Sequence, residues 1–219
     1  MMNSRAICAL LGATLALSVG FSLAAEKEED EDGWVTIFDG ESLDGWKINE
    51  NSETWELRGG MLVANGDRSH IFYVGEDEPF VNFELKVEVR TEKNSNGGIY
   101  FHTRFQETGW PKYGHEAQVN NTYTSDPKKS GSLYGVVDVT EQHIEDGEWW
   151  TEHVIVKGRH ITIKLDDEVV VDYEEPEGKE AFSDDFERRL GSGTFALQGH
   201  DPGSTVYYRN IRVKRLPDE

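Results

Sequence analysis

The sequence predicts an all-β protein built as a two-sheet antiparallel sandwich. Short apolar or alternating segments are separated by glycine, aspartate and asparagine turns along most of the chain, and this pattern is typical of sandwiches. Helical character is confined to 179–190, which we expect to be at most a short turn on a long loop. The 219 residues suit one such domain, because all-β folds of this length are often a single unit.

Three segments carry the clearest strand signals. The segment 83–90 alternates apolar and polar side chains, as a half-buried strand does. Gly59-Gly60 separates two short apolar segments and predicts a hairpin. The segments between 154 and 173 are divided by two short turns and predict a β-meander. In chain order, we predict strands at 34–38, 55–57, 61–64, 83–90, 99–102, 113–121, 154–157, 161–165, 169–173, 194–198 and 206–214.

The N-terminus has the pattern of a secretory signal peptide, which we predict to span residues 1–25. Arg5 supplies a basic start, Ala6–Phe21 is an apolar core, and cleavage is expected after Ala24 or Ala25. The alternative is an uncleaved membrane anchor. That alternative is weaker because the apolar run is short for a span and an acidic stretch follows it.

We expect residues 26–33 to form an acidic linker and residues 34–217 to form the folded domain. Cys8, the single cysteine, would leave with the signal. Disulfides, thiolate catalysis and thiolate metal sites are therefore excluded for the exported protein. Export implies a secreted protein, periplasmic by preference and extracellular as the alternative.

The chain is strongly acidic, with 22 Lys and Arg against 42 Asp and Glu and a net charge of −20. Such a field repels nucleic acids and anionic membranes. We therefore expect neither as a partner, and a neutral or cationic ligand instead. The composition does not predict an oligomeric state.

The segment 113–121 carries the most informative polar pattern. Because side chains alternate along a strand, Glu116, Gln118 and Asn120 share one face, while the residues between them share the other. Adjacent polar groups on one face form either a solvated surface or the floor of a polar site, and we favour the site.

Similar polar groups occur on a second predicted strand. Tyr100, His102 and Arg104 would share a face after the glycines of Asn96-Gly97-Gly98. A guanidinium beside aromatic and imidazole groups suits a polyol or an oxyanion. An ordinary hairpin with an exposed arginine explains the pattern equally well.

Further candidates lie at strand ends and in a glycine-rich stretch. Gln198 ends one strand, and His200 after it could be a base, a metal ligand or a turn residue. Lys129 and Tyr134 flank Ser130-Gly131-Ser132, which could edge a cleft. No cofactor is indicated with certainty. A divalent metal bound by His115, Glu116 and His200 is possible chemically, although the spacing is not diagnostic.

The polar strand is similar to those of sandwich-fold glycosidases but lacks their charges. Those strands carry acids at the positions of Glu116, Gln118 and Asn121, and here two of the three are amides. A conventional glycosidase needs two ionisable carboxyls. The protein therefore either only binds a sugar or breaks the bond by another route.

Nine ordered segments together resemble the 3-keto-disaccharide hydrolase family of secreted bacterial proteins. The resemblance runs from about Trp34 to Leu216, nearly the whole mature chain. The segments are 38–46, 55–60, 82–85, 96–101, 114–119, 131–134, 147–149, 197–200 and 209–211.

The resemblance implies a concanavalin-like jelly roll that cleaves glycosides already oxidised at C3. The ketone acidifies the proton at C2, so one base can remove it, the enolate expels the group at C1, and water adds afterwards. On this hypothesis Glu116 is the base, His200 or His102 is a proton donor or metal ligand, and Arg104 or a divalent metal stabilises the enolate. The substrate-binding residues would be Gln118, Asn120, Tyr100, Tyr134, Gln198 and Lys129.

Two other classes of function are also compatible with the sequence. A non-catalytic carbohydrate-binding module would share the fold, the aromatic residues and the polar strand. A structural protein of the cell envelope would need only the signal and the acidic surface. Turnover of a 3-keto-glycoside separates the enzyme from the binding module, and failure to bind any sugar would favour the structural protein.

Overall fold

The computed structural model describes Asp30 and residues 32–218, so the predicted signal peptide and most of the acidic linker lie outside the described residues. Within this part of the chain, no helix is long and apolar enough to cross a membrane. A single 3-10 turn, Ser52–Thr54, accompanies thirteen strands in the described chain. The strands are β1 (Val35–Phe38), β2 (Trp46–Ile48), β3 (Trp55–Arg58), β4 (Met61–Ala64), β5 (Ser69–Tyr73), β6 (Phe83–Thr91), β7 (Gly97–Thr103), β8 (His115–Val119), β9 (Trp150–Lys157), β10 (His160–Leu165), β11 (Glu168–Glu174), β12 (Thr194–Gly199) and β13 (Val206–Arg215).

The strands form two antiparallel sheets, as the sequence predicts. One sheet has eight strands in the order β11-β10-β9-β6-β13-β4-β3, and β1 also pairs with β13. The other has five strands in the order β2-β5-β12-β7-β8. The candidate site lies on the five-stranded sheet.

The core between the sheets follows directly from side-chain alternation. In β6, Phe83, Leu85, Val87 and Val89 are buried, and the residues between them are partly exposed. Fully burying one such side chain stabilises the fold by about 1.5–3 kcal/mol. The predicted meander is confirmed as β9, β10 and β11. The predicted hairpin is confirmed as β3 and β4, where Gly59 and Gly60 both have positive φ angles of 60° and 77°.

Strand β7 departs from the expected alternation at His102. Phe101 and Thr103 pair with adjacent residues of β12, so His102 is the extra residue of a β-bulge. Its φ is 56°, in the left-handed region. The expectation that His102 shares a face with Tyr100 is therefore wrong. The imidazole instead packs edge-to-face on Phe83 of the core, with 5.5 Å between ring centroids.

The segment 179–190 has no helix and forms an irregular loop. A tight turn closes it, because the Phe182 and Ser183 amides donate to the carbonyls of Glu187 and Phe186 at 2.9 Å. The Glu187 amide also donates to the Lys112 carbonyl, 2.8 Å away. This bond joins the loop to the one that follows β7, and both loops reach the candidate site.

Candidate active site

A pocket of about 230 Å³ lies on the outer face of the five-stranded sheet. Its floor is formed by side chains of three neighbouring strands: Glu116 and Gln118 from β8, Tyr100 from β7 and Gln198 from β12. Tyr100 lies directly opposite Glu116 in the ladder. The alternation predicted for β8 is thus confirmed for Glu116 and Gln118, which face the pocket while Ala117 and Val119 enter the core.

Glu116 is the carboxylate at the centre of the floor. Gln198 Nε2 donates to Glu116 Oε1 and to Tyr100 Oη, each at 2.9 Å. Burial raises the pKa of Glu116 to about 7, against the opposing effects of hydrogen bonds from Tyr100 and Gln198 and of the Arg188 charge. A carboxyl with this pKa is divided between acid and base near neutral pH, which suits proton transfer.

Gly98 leaves the space that the Glu116 carboxylate occupies. A Cβ at this position would lie 2.4 Å from Glu116 Oε1, closer than such atoms can approach. Gly98, on the same strand as Tyr100, therefore determines the position of the Glu116 carboxylate. Gln118, the ladder partner of Gly98, donates from Nε2 to Asn96 Oδ1 over 3.4 Å.

One wall of the pocket carries charged groups. Tyr134 donates its hydroxyl to Asp126 Oδ2 at 2.8 Å, and Lys128 lies 3.6 Å from the same carboxylate. The Arg188 guanidinium stacks over the Phe182 ring at 4.1 Å and the Tyr134 ring at 5.1 Å. The charge of Arg188 favours the ionised form of Glu116. Arg188 is thus a guanidinium placed to attract an anion in the pocket.

The opposite wall is formed by Trp110 and His200. The His200 ring lies 5.3 Å from Trp110 and 5.5 Å from Tyr123, centroid to centroid. Its Nδ1 is 2.6 Å from Asp201 Oδ2. Hydrogen bonds from His200, the Gly203 amide and Ser204 lower the pKa of Asp201 against the effect of burial. Asp201 therefore holds the His200 imidazole through Nδ1, and the other ring nitrogen, Nε2, points away from the Asp201 carboxylate.

Seven of the residues predicted from the sequence come together around the pocket. They are Glu116, Gln118, Tyr100, Gln198, Tyr134, His200 and His115.

Arg104 and His102 lie elsewhere. Arg104 is exposed and does not line the pocket, although its guanidinium stacks at 3.5 Å on the ring of Tyr113, which does. His102 Nε2 lies 2.8 Å from the Val81 carbonyl, and its Nδ1 accepts the Gly191 amide at 3.3 Å. Burial lowers the pKa of His102 to about 4, so the ring is neutral. The bulge in β7 is the reason that neither residue follows Tyr100 into the pocket.

Asn120 and Lys129 also lie outside the lining. Asn120 is buried and donates from Nδ2 to the carbonyls of Asp126 and Lys128, at 3.0 and 2.7 Å. Lys129 Nζ donates to the Tyr123 carbonyl at 3.3 Å. Both side chains therefore hold the loop that carries Asp126, instead of pointing at a ligand.

The three residues proposed as metal ligands all line the pocket, but they do not converge on one point. His115 Nε2 lies 3.0 Å from Glu175 Oε2, and its ring stacks on Phe101 of the core face. His200 is paired with Asp201. In the described residues no three His, Cys, Asp or Glu side chains converge as a metal site would require.

Several residues at the site were missed from the sequence, and four of them bear on its chemistry. Trp110, Asp126 and Arg188 lie in loops, where no periodicity indicates a direction, and His70 lies behind Trp110 on β5. One signal was available for Arg188. Cations are scarce in this acidic chain, and a scarce charge in a long loop is a candidate for binding.

Comparisons with known proteins agree with the fold and identify the family. A family model described as a 3-keto-alpha-glucoside-1,2-lyase-like domain matches residues 33–214. A 3-keto-disaccharide hydrolase of Bacteroides thetaiotaomicron is 26% identical over 233 aligned positions, which cover 85% of this chain and 80% of that protein.

Two solved structures share the fold. A candidate glycosyl hydrolase of Parabacteroides distasonis superposes with a TM-score of 0.70 and 21% identity, covering 85% of this chain and 95% of the other. A carbohydrate-binding module of Bacillus subtilis, CBM66, superposes with a TM-score of 0.56 and 16% identity, covering 78% and 95%. These likenesses confirm the jelly-roll sandwich. Because the family model spans nearly all of the described domain, the chain belongs to the 3-keto-alpha-glucoside-1,2-lyase-like family.

Proposed function

We propose that this enzyme cleaves the glycosidic bond of sugars that carry a ketone at C3, by elimination followed by hydration. Family membership supports a hydrolase or lyase acting on a glycoside. The observation that carries the proposal is Glu116, a carboxyl with a pKa near 7 on the floor of a sugar-sized pocket. Elimination from a 3-keto-sugar needs one such base, whereas conventional glycosidases need two carboxyls.

Glu116 takes the proton from C2, and the electron pair of that C–H bond moves toward the C3 oxygen to form an enolate. Tyr100 and Gln198 hold the carboxylate before the reaction. Their hydrogen bonds orient the base, while burial strengthens it relative to a solvated carboxylate. Because residue 98 is a glycine, the space that the Glu116 carboxylate occupies is free of a side chain from β7.

Arg188 stabilises the enolate oxygen in this proposal. It replaces Arg104, which lies outside the lining. A permanent cation that is positioned before charge develops lowers the barrier without reorganisation. The stacking of Arg188 on Phe182 and Tyr134 supplies that position.

His200 serves the leaving group. The enolate reforms the ketone, its electron pair makes the C1–C2 double bond, and the C1–O bond breaks. The departing oxygen takes a proton from the imidazole, whose orientation is set by Asp201. Water then adds across C1 and C2. Its hydroxyl bonds C1, and the proton that it releases goes to the imidazole, which became neutral in the previous step. Glu116, protonated since the first step and able to exchange its proton with solvent, gives a proton to C2.

The donor set does not fit a divalent metal. His115 is bound to Glu175 and His200 to Asp201, so Glu116 has no imidazole partner placed as a ligand. No step is therefore assigned to a metal ion.

The test compares 3-keto-trehalose with unoxidised trehalose, and wild-type protein with Glu116→Gln. Wild-type protein should cleave only the keto-sugar and, in D2O, place deuterium at C2. Glu116→Gln should lose about 10²–10⁴-fold in rate, while Glu148→Gln, an exposed glutamate, should not. Cleavage of unoxidised trehalose that depends on Asp126 would overturn the proposal in favour of a two-carboxylate hydrolase. Binding without cleavage would favour a carbohydrate-binding module.

The proposal includes export, because residues 1–25 have the pattern of a signal peptide. Expression of the full chain in a Gram-negative host should yield periplasmic protein that begins at Ala25 or Glu26. Full-length protein retained in the cytoplasm would contradict this.

A further inference from the structure

His70 is buried on the pocket side of β5 without a hydrogen-bond partner among the described residues. Its exposed fraction is 0%, and both ring nitrogens are unsatisfied. The ring packs edge-to-face against Tyr100 at 5.5 Å and against Trp110 at 5.4 Å, centroid to centroid. Both neighbours line the pocket. His70 therefore lies directly behind the pocket lining.

Gln198, on the strand next to β5, also has one unsatisfied buried atom. Its Nε2 is used by Tyr100 and Glu116, on the side of β7 and β8. Its Oε1 therefore points away from Glu116, and it is buried without a partner in the described chain. The strand on the other side of β12 is β5, and the residue directly opposite Gln198 there is His70.

Unsatisfied buried polar atoms are rare because each costs free energy, and in a native protein each one calls for an explanation. Here three of them belong to two cross-strand neighbours on the ligand-facing side of the sheet. Burial lowers the pKa of His70 to about 3, so the ring is neutral and offers one donor and one acceptor. Gln198 Oε1 offers an acceptor. A hydroxyl group, which both donates and accepts, complements this set.

Trp110 covers His70 and belongs to a loop with its own supports. Gln106 Nε2 donates to the carbonyls of Thr108 and Trp110, and Gln106 Oε1 accepts the Lys112 amide at 3.0 Å. The Gly109 amide donates to Glu50 at 3.0 Å. The loop backbone is thus held in place. The indole is only partly buried and His70 is not exposed at all, so a ligand can reach His70 only if the Trp110 side chain shifts.

We propose that His70 and Gln198 form a hydroxyl-binding subsite beneath Trp110, which holds the glycoside at a position away from the carbon that faces Glu116. This subsite rests on the proposed function in one respect only, namely that its ligand is a sugar. His70 is thus a binding and specificity residue, while Glu116 performs the proton transfer.

The test uses His70→Phe, which removes both nitrogens and keeps an aromatic ring. The dissociation constant for trehalose is measured by calorimetry in wild-type protein and in the variant. For 3-keto-trehalose it is measured in Glu116→Gln with and without His70→Phe, so that the sugar stays intact. We expect affinity to fall at least fivefold for both sugars. KM should rise by a similar factor with little change in kcat, and the temperature of unfolding should be unchanged or higher.

His102→Phe is the matched control, because His102 is also buried but bonded to the Val81 carbonyl outside the pocket. It should lower the unfolding temperature and leave affinity unchanged. If His70→Phe does not fold, nitrogen-15 spectra of the His70 ring in wild-type protein replace it. Trehalose at saturation should shift both ring resonances, and unchanged resonances would refute the subsite.

Unchanged affinity in His70→Phe overturns the subsite even if the keto-sugar is cleaved. Affinity that depends on His70, without cleavage of the keto-sugar by wild-type protein, leaves the subsite standing and overturns the proposed reaction alone. Absence of binding of either sugar to the wild-type protein overturns the subsite.

Discussion

Replacement of Tyr100 by phenylalanine should move the pH dependence of the reaction without abolishing it. The Tyr100 hydroxyl hydrogen-bonds the Glu116 carboxylate and lowers its pKa, which burial has raised to about 7. A hydrogen bond to a charged group contributes about 1.5–3 kcal/mol. Since one pKa unit corresponds to about 1.4 kcal/mol, its loss should raise the pKa of Glu116 by about one to two units.

The expected effect on rate follows from the fraction of Glu116 that is ionised. At pH 7 that fraction falls from about one half to between about one tenth and one hundredth, so kcat/KM should fall about 5- to 50-fold. Because the base remains in place, the rate should recover above about pH 9 to 10. The assay is kcat/KM for 3-keto-trehalose measured from about pH 5 to 10.

Tyr207→Phe provides the matched control, since Tyr207 lies on the eight-stranded sheet and its hydroxyl bonds Glu92, just after β6, at 3.1 Å. Its pH profile should coincide with that of the wild-type protein. If Tyr100→Phe lowers the rate equally at every pH, or leaves the acid limb where it was, then Tyr100 does not tune Glu116 and the reasoning fails.

Two further predictions concern charges at and away from the site. Arg188→Met should lower kcat/KM by about 10²–10³-fold, because a preorganised cation near the enolate is lost. It should also move the acid limb of the pH profile to higher pH. Arg104→Met should do neither, and equal losses in the two variants would refute the assignment of Arg188. Burial raises the pKa of Glu152 in the core to about 8, so the folded protein retains a proton that the unfolded chain releases, and stability falls as pH rises from about 4 to 8. Glu152→Gln should therefore raise the unfolding free energy by about 2–5 kcal/mol at pH 8 and change it little near pH 4, as calorimetry at the two pH values can check; a uniform change at both would contradict the buried, protonated carboxyl.

Strands such as β6, with one buried face, could be predicted from the alternation of their side chains, whereas β5, which is covered on both faces, could not. In β6 the alternation of apolar and polar side chains reports the burial of one face. Strand β5 is buried at all five positions, because the core covers one face while Trp110 and Phe105 cover the other. Its sequence, Ser-His-Ile-Phe-Tyr, has no simple period, and it was missed together with the short β2.

The floor of the site could be predicted because it lies on regular strands, where position determines direction. Glu116, Gln118 and Tyr100 are of this kind. The prediction failed at His102, where one extra residue reverses the direction of a side chain. It also failed for Arg188, whose direction depends on a loop that packs against Tyr134 and Phe182. Loops and bulges are set by tertiary contacts that local sequence does not reveal.

The order of strands in the two sheets has a consequence for how the chain reaches its native state. The central strand of the five-stranded sheet is β12, and β13 lies inside the eight-stranded sheet, where it pairs with β1, β4 and β6. Both strands come from the last part of the chain. Neither sheet can be completed until residues 194–215 have emerged from the ribosome or, if the protein is exported, from the translocation channel. Long-range pairing of this kind folds slowly, so the chain remains open through most of its synthesis, a state compatible with threading through a membrane. The same topology makes a truncation that removes β13 far more damaging than an equal loss ahead of β1.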